Sequence, residues 1–364
     1  MCFGFIGFIT SFITIRSDHM KRFIPIISIC IPTFNGESTI KKVLETIYPQ
    51  LSSDCEVVIS DDLSTDDTLS IVKQFQQKCS LIKVFQNTNN LGMDGNFHKV
   101  TTLATGKYIW FCGQDDLLGD GVIKQALKMV SNNNIGILNL NFSQYDHYME
   151  TCLTESFFEE STFDKKLVQT SDELYFDTPD EYYAVFTQPP SFLPSVVMLR
   201  EYWLNTDVKQ FYGSYFVQVG VLLMNMHKHR IGVFNTPLIK GRIPNDQWQE
   251  DGSKLFAIMT GDLVAKNIAF KLNKALPYRI FQRDKLRYSL NFLFLLNKSR
   301  ATGLIPNSRN AIQLKAVFNN SLIYYFYILP LLNLNVKVLE LLSISLSIVK
   351  KLLLKIPRIK NLRQ

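Results

Sequence analysis

The sequence predicts an α/β fold, a mostly parallel, doubly wound sheet, followed by a helical and strongly basic C-terminal region. Three observations predict it: short apolar runs alternate with amphipathic helical stretches up to about residue 140, acidic pairs stand directly after two of those runs, and charge is divided unevenly along the chain. From Lys266 to Gln364 there are 18 basic and two acidic residues, a net of +16, whereas residues 1–265 hold 21 basic and 30 acidic, a net of −9. With 364 residues, 46% hydrophobic and 20% charged, the chain can bury a sizeable core without disulfide or metal staples. Disordered, collagen-like and coiled-coil classes are excluded.

The elements follow in order. Residues 1–19 are an apolar extension, CFGFIGFITSFITI, with no basic residue before it and no small-residue cleavage site after it, which makes a poor secretory leader. MKRFIPIISICIPTFN reads as a natural N-terminus, so Met20 is the expected start, with a membrane anchor as the alternative. Ile26 to Pro32 is a strand, and Ile40, Val43, Leu44 and Ile47 then mark one face of a helix. EVVIS, Glu56 to Ser60, is the second strand; Ser64 with Asp67 resembles a capping pair for a helix that buries Leu69, Val72 and Phe75. Leu81 to Phe85 is the third strand. An Asn-rich turn, a helix to Ala104 and the strand KYIWFC come next, then GQDD, a helix from about Asp120 and the strand IGILNL.

The six cysteines, at positions 2, 30, 55, 79, 112 and 152, form no C-x-x-C pair and read as reduced core thiols of a cytosolic chain. His227 and His229 have no cysteine partners nearby, so a structural zinc is not expected. No apolar run is long enough for an ordinary membrane span.

Asp61 and Asp62 close the second strand, and Asp115 and Asp116 close KYIWFC, so both pairs are expected at the carboxyl edge of the sheet, where such folds bind ligands. Converging carboxylates repel unless neutralised, and a divalent cation, Mg²⁺ or Mn²⁺, carrying a diphosphate would neutralise them. The alternative is turn and N-cap chemistry, which also favours Asp.

SICIPTFNGESTIKKVLETI, EVVISDDLSTDDT and NTNNLGMDGNFHKVTTLATGKYIWFCGQDD together resemble the family 2 glycosyltransferases of the GT-A fold. Their motifs run S-hydrophobic-P-x-Y-N, V-D-D-x-S-x-D, N-x-G, A-x-G-x-Y-hydrophobic and then a D-x-D-type acidic motif. The likeness covers about residues 26–140 and is similar to bacterial enzymes that add single sugars to surface polysaccharide repeats. It implies a nucleotide-sugar pocket edged by Pro32 and Thr33, with Asp61 or Asp62 accepting a hydrogen bond from the base. Asp115 would face the ribose and diphosphate, and Asp116 would hold the cation. Gln114 stands where relatives often have a third Asp. Gly92 and Asn96 lie in the loop that packs against the nucleotide in the family, and both read more naturally as turn formers.

The resemblance also implies inversion at the anomeric carbon, with a carboxylate base at the start of a downstream helix. The matching helix, in FYGSYFVQVGVLLMNMH, has Gln218 where the acid is expected; Asp207 is the substitute, with Asp246 and Asp251 behind it. Trp203, Trp248, Tyr182 and Tyr183 are candidates for an acceptor-sugar platform or for aromatic core. In the rear, Lys337, Lys350, Lys351 and Lys355 border a wide Leu and Ile face, which fits helices lying in a membrane interface, against a packed helix pair as the alternative. Nucleic acid is not an expected partner.

The expected organisation is a GT-A domain over 20–265, split into a nucleotide-sugar half (26–140) and an acceptor half (141–265), then a basic amphipathic region over 266–364. The expected function is transfer of one sugar from a nucleotide-sugar, UDP-sugar by family precedent, to a lipid-linked saccharide at the inner face of the cell membrane. A non-catalytic nucleotide-sugar-binding or scaffold protein of the same fold is the alternative. The chain has no Q-x-x-R-W signature of polysaccharide synthases, and PTFNGESTI is not the glycine-rich, Arg-containing loop of nucleotidyltransferases.

Overall fold

The computed structural model describes residues 24–242, 252–301, 308–318, 321–335, 337–338, 341–342 and 345. The N-terminal extension with Met20, the candidates Asp246, Trp248 and Asp251, and Lys350, Lys351 and Lys355 lie outside the described residues.

The strands are β1 (Ile27–Thr33), β2 (Cys55–Asp61), β3 (Ile82–Gln86), β4 (Tyr108–Phe111), β5 (Leu117–Leu118), β6 (Ile135–Tyr145), β7 (Cys152–Thr154), β8 (Glu173–Phe176), β9 (Val196–Leu199) and β10 (Arg230–Arg242). The helices of the first half are α1 (Ile40–Ile47), α2 (Thr68–Lys78), α3 (Gly92–Leu103) and α4 (Val122–Asn132). Those of the second are α5 (Phe157–Glu160), α6 (Lys165–Thr170), α7 (Pro179–Val185), α8 (Arg200–Leu204) and α9 (Val217–Asn225). One sheet takes the order β3-β2-β1-β4-β9-β6-β10-β5, with β7 beside β6 and β8 beside β10.

The fold is mixed α/β with a parallel-rich sheet. β3, β2, β1 and β4 pair in parallel; β1, β2 and β4 are buried almost end to end, as strands covered on both faces must be, and β3 is the half-exposed edge. Right-handed crossovers put α1 and α2 on one face; α3, which carries the chain back past β1 to β4, lies on the other. The order therefore reverses between β1 and β4, which makes the crevice outside their carboxyl ends the switch point of the sheet. The sequence did not announce β9: this four-residue strand is inserted antiparallel between β4 and β6, so IGILNL is not the neighbour of KYIWFC. Two further local expectations are corrected. Thr68 opens α2 with its N–H and hydroxyl donated to Asp66, while Ser64 instead accepts the Asn35 N–H. Cys30, Cys55 and Cys112 are buried, but Cys152 is exposed, because β7 is an edge strand.

At the amino edge the buried Glu56 ties four segments together. Its carboxylate accepts from Ser28 Oγ at 2.6 Å, from Thr105 N at 2.6 Å and Thr105 Oγ1 at 2.9 Å, and from the Lys83 ammonium. Burial alone would raise its pKa, but Lys83, Ser28 and Thr105 outweigh burial and hold it below the ordinary 4.5. A lowered folded pKa gives stability that is present above the ordinary value and lost as pH falls through the folded one. Glu56→Gln is expected to cost about 3 kcal/mol, since it leaves Lys83 and the donors with a neutral partner, and to flatten the acid limb of a melting-temperature profile.

Helices α10 (Gly252–Leu272), α11 (Tyr278–Ala301) and α12 (Ser308–Phe318) form the C-terminal region, and a π-helical turn, Tyr324–Ile328, continues into Leu329–Asn333. α10 packs on α9, α11 and α12. Its buried Lys266 is clasped by Asp262 at 2.6 Å and by Asp284 of α11 at 2.9 Å. Among the described residues no helix is long and apolar enough to cross a membrane.

Candidate functional site

β1, β2 and β4 are parallel neighbours, so their carboxyl ends deliver Pro32 and Thr33, Asp61 and Asp62, and Asp115 and Asp116 to one edge. Asp61 ends β2 fully buried; its Oδ2 accepts from Ser64 N at 3.1 Å and Gln86 Nε2 at 3.4 Å, and Thr33 Oγ1 lies 3.5 Å from Oδ1. Asp62 Oδ1 accepts from Asn87 Nδ2 and from Leu91 N, both at 2.8 Å, which makes this carboxylate the anchor of the Asn-rich loop. Asn96, on the first turns of α3, donates to Ser60 O at 2.9 Å and Thr33 O at 3.4 Å and accepts from Asn87 Nδ2 at 3.0 Å. It thus clamps the ends of β1 and β2. Gly92 takes φ +70, a left-handed conformation that costs glycine little, so both loop residues act as backbone formers.

Gln114 spans the switch point. Its Oε1 accepts from Phe34 N at 2.9 Å and its Nε2 donates to Phe34 O at 3.1 Å, a two-point brace between the ends of β1 and β4. Gln114 therefore ties the two strand ends together. Asp116 is buried while Asp115 is half-buried. Gly113 lets them approach: a Cβ there would sit 2.5 Å from Asp116 Oδ2 and 3.0 Å from Asp115 Oδ1. Arg242, at the end of β10, closes the site by donating its N–H to Asp116 Oδ1 at 3.0 Å and its Nε to Asp115 O at 3.1 Å, and by binding the His147 carbonyl through Nη1. Burial raises the Asp115 pKa, with Arg242 and His147 pulling it down. Burial first and Asp115 second push Asp116 well above the usual carboxylate range.

Two hard oxygen donors that are reluctant to ionise together fit a divalent cation, which would relieve both burial and repulsion. Among the described residues no group of three His, Cys, Asp or Glu side chains converges as a complete metal site. A cation here would take its remaining ligands from a bound phosphate and water.

The other candidates lie elsewhere. Asp207 is exposed beyond α8, a helix that starts beside Lys107 at the amino edge and packs along α3. No hydrogen bond or ion pair among the described residues joins it to Asp115 or Asp116. Gln218 is buried in the first turn of α9, and its Oε1 has no hydrogen-bond partner among the described residues. The aromatic platform is corrected to core for three of its members. Trp203 is buried and donates Nε1 to His98 Nδ1 at 3.0 Å, while Tyr182 and Tyr183 are buried, with Tyr182 stacked on Phe186. His227 and His229 part company, to Asn273 and to Tyr202. Arg242 and His147 were missed. Arg242 is 126 positions from Asp116, and an arginine ending a strand carries no local signal of that contact.

Two acidic pairs thus stand at the switch point of an α/β sheet, the place where folds of this class bind ligands. Residues 28–170, under half of the chain, match the model described as Glycosyl transferase family 2. It is 31% identical over 132 residues to the GalNAc(5)-diNAcBac-PP-undecaprenol beta-1,3-glucosyltransferase of Campylobacter jejuni, covering 36% of this chain and 39% of that one. It is 27% identical over 276 residues to the abequosyltransferase RfbV of Salmonella typhimurium, covering 68% of this chain and 78% of that one. The match thus spans under half of the first relative's length and about three quarters of the second's. A mannosyltransferase from Pyrobaculum calidifontis, solved in complex with GDP-Man and Mn²⁺, aligns at a TM-score of 0.49 and 15% identity over 84% of each chain.

Proposed function

We propose that this protein is an inverting glycosyltransferase that moves one sugar from a nucleoside-diphosphate sugar, UDP-linked by family precedent, to a lipid-linked saccharide in bacterial surface-polysaccharide synthesis. The observation that carries the reading is the Asp115–Asp116 pair, at the switch point of a domain that matches family 2 and drawn together by Gly113 and Arg242. The two relatives bear names of sugar transferases, and the Campylobacter name describes an undecaprenol-linked acceptor.

In this reading Pro32 and Thr33 edge the base pocket. Asp61, whose partner Ser64 lies in the loop above it, faces the nucleotide, and Asp62 holds that loop in place. Asp115 faces the ribose and diphosphate, and Asp116 holds Mn²⁺ or Mg²⁺. When bound, the cation offsets the negative charge that develops on the departing diphosphate. The C-terminal helices would bring the protein to the inner face of the membrane, where a lipid-linked acceptor is displayed.

A thermal-shift screen of UDP-, GDP- and dTDP-sugars with and without Mn²⁺ tests the reading. A donor at a hundred times its dissociation constant is expected to stabilise the fold by about 2.7 kcal/mol, and only with the cation. Release of nucleoside diphosphate on adding acceptor separates an enzyme from a scaffold of the same fold. No shift with any donor would overturn the nucleotide-sugar assignment.

A further inference from the structure

We propose that the Leu322–Phe326 turn is a docking element that enters the headgroup region of an anionic phospholipid bilayer, with Lys271, Lys285 and Lys315 on the lipid phosphates. The inference deepens the membrane part of the proposed function and rests on the reading that the acceptor is lipid-linked.

The turn is apolar all round. Its inner face, Tyr324, Ile328 and Leu331, is buried against the C-terminal helices, yet on the outer face Leu322 is 73% and Phe326 is 79% exposed, with Ile323 at 40%. A helix that buries one apolar face and presents another to water lacks a polar side to keep it solvated. Further along, Val338, Leu341 and Leu342 are exposed as well.

Beside this protrusion lies an uncompensated basic cluster. Lys271 Nζ donates to Ala316 O at 3.4 Å, and the Lys285 ammonium sits 5.4 Å from the centre of the Phe318 ring, three residues before Ser321 begins the turn. Lys315, next in sequence to Ala316, is exposed. Burial first and the Lys271 charge second lower the Lys285 pKa, as expected of cations gathered without a counterion. Asp284, beside Lys285 in sequence, is engaged with Lys266, and no acidic residue lies between Asp284 and Glu340.

One surface offers both complements: phosphate for the lysines and acyl chain for Leu322 and Phe326. A second copy of the chain would instead set two regions of net +16 against each other, which charge repulsion disfavours. The bilayer is therefore the occupant that both the charge and the apolar face select.

The test is co-sedimentation of the full chain with phosphatidylcholine vesicles, with and without about a third phosphatidylglycerol. Binding is expected to the anionic vesicles alone and to weaken as salt rises. Phe326→Asp should reduce it at least about tenfold, and Lys271→Glu combined with Lys315→Glu by a similar factor. Because Phe326 is exposed, the Asp variant should keep the wild-type melting temperature, which separates lost docking from lost fold. Absence of anionic-vesicle binding, or wild-type binding by the Phe326 variant, would overturn the proposal. So would a dimer in sedimentation equilibrium that Phe326→Asp dissolves, since that would make a second copy the occupant. The Mn²⁺-dependent donor shift, measured on the same preparation, reports on the transferase reading independently: it can persist when docking fails, and docking can persist when it fails.

Discussion

Asp116→Asn is expected to abolish the cation-dependent thermal shift by nucleotide-sugar and to lower kcat/KM roughly a thousandfold while leaving the fold intact. The side chain is buried, carries a proton affinity raised by burial and by Asp115, and has one oxygen already engaged by Arg242 N. Asn keeps that acceptor and the side-chain volume but cannot supply a negative oxygen to a cation. The variant also has a signature that does not require turnover. A carboxyl whose folded pKa is raised stabilises the free protein below its ordinary value of 3.8 and withdraws that stability as pH rises through the folded value. The cation-free wild type should therefore lose melting temperature as pH rises above about 4, and Mn²⁺ should restore it. The Asn variant should show neither the loss nor the restoration. Unchanged cation dependence in the variant would remove Asp116 from the ligand set.

The second large effect concerns stability. Lys266→Met should destabilise the protein by about 3–5 kcal/mol, read as a fall in the urea midpoint. Lys266 is only 3% exposed, and its ammonium stands between Asp262 and Asp284. Burial by itself would lower its pKa, but the two carboxylates more than reverse that and hold it above the usual lysine value. Stability from this group is present below the ordinary 10.5 and lost only as pH rises through the folded value. Removing the cation leaves two carboxylates facing each other across α10 and α11. Adding Asp262→Asn and Asp284→Asn to Lys266→Met should recover much of the loss, because the penalty comes from orphaned charge. A triple variant no more stable than the single one would show that the lysine stem's packing, rather than its charge, holds the helices together.

Much of the donor half was legible because each of its signals is local. Strand-length apolar runs such as IISICIP, a four-residue helical face in α1 and an acidic pair at the very end of a strand all lie within a dozen residues. Parallel pairing then sends Asp61 and Asp115 to one edge without further information. The remainder depends on contacts whose partners are far apart. VVML is too short to stand out beside PSFLP, so β9 was invisible, and without it the packing of Trp203 under α3 could not be foreseen. Asp207 was eligible on sequence distance alone; its place is set by α8, which leaves β9 at the amino edge and runs back along α3, with Trp203 bonded to His98 and Gly213 to Asp94. Tyr182 and Tyr183 illustrate the same limit. An aromatic pair reads alike whether it lines a groove or fills the layer beneath α7, and only the stacking with Phe186 decides.

The late arrival of β9 has a consequence for how the chain matures on the ribosome. The first four strands are complete at Phe111, but the edge of β4 stays unpaired until Val196, about 85 residues later. At roughly 5–20 residues per second that is on the order of 4–17 s, during which a nascent sheet presents an open hydrogen-bonding edge made of YIWF. The part matched by the family model ends at residue 170, short of the strand that closes this edge. A fragment cut at that limit would carry the acidic pairs and still lack the strand that keeps them in a finished sheet. The nascent chain needs shelter through that interval, and the acceptor half supplies the lasting cover when it joins the same sheet.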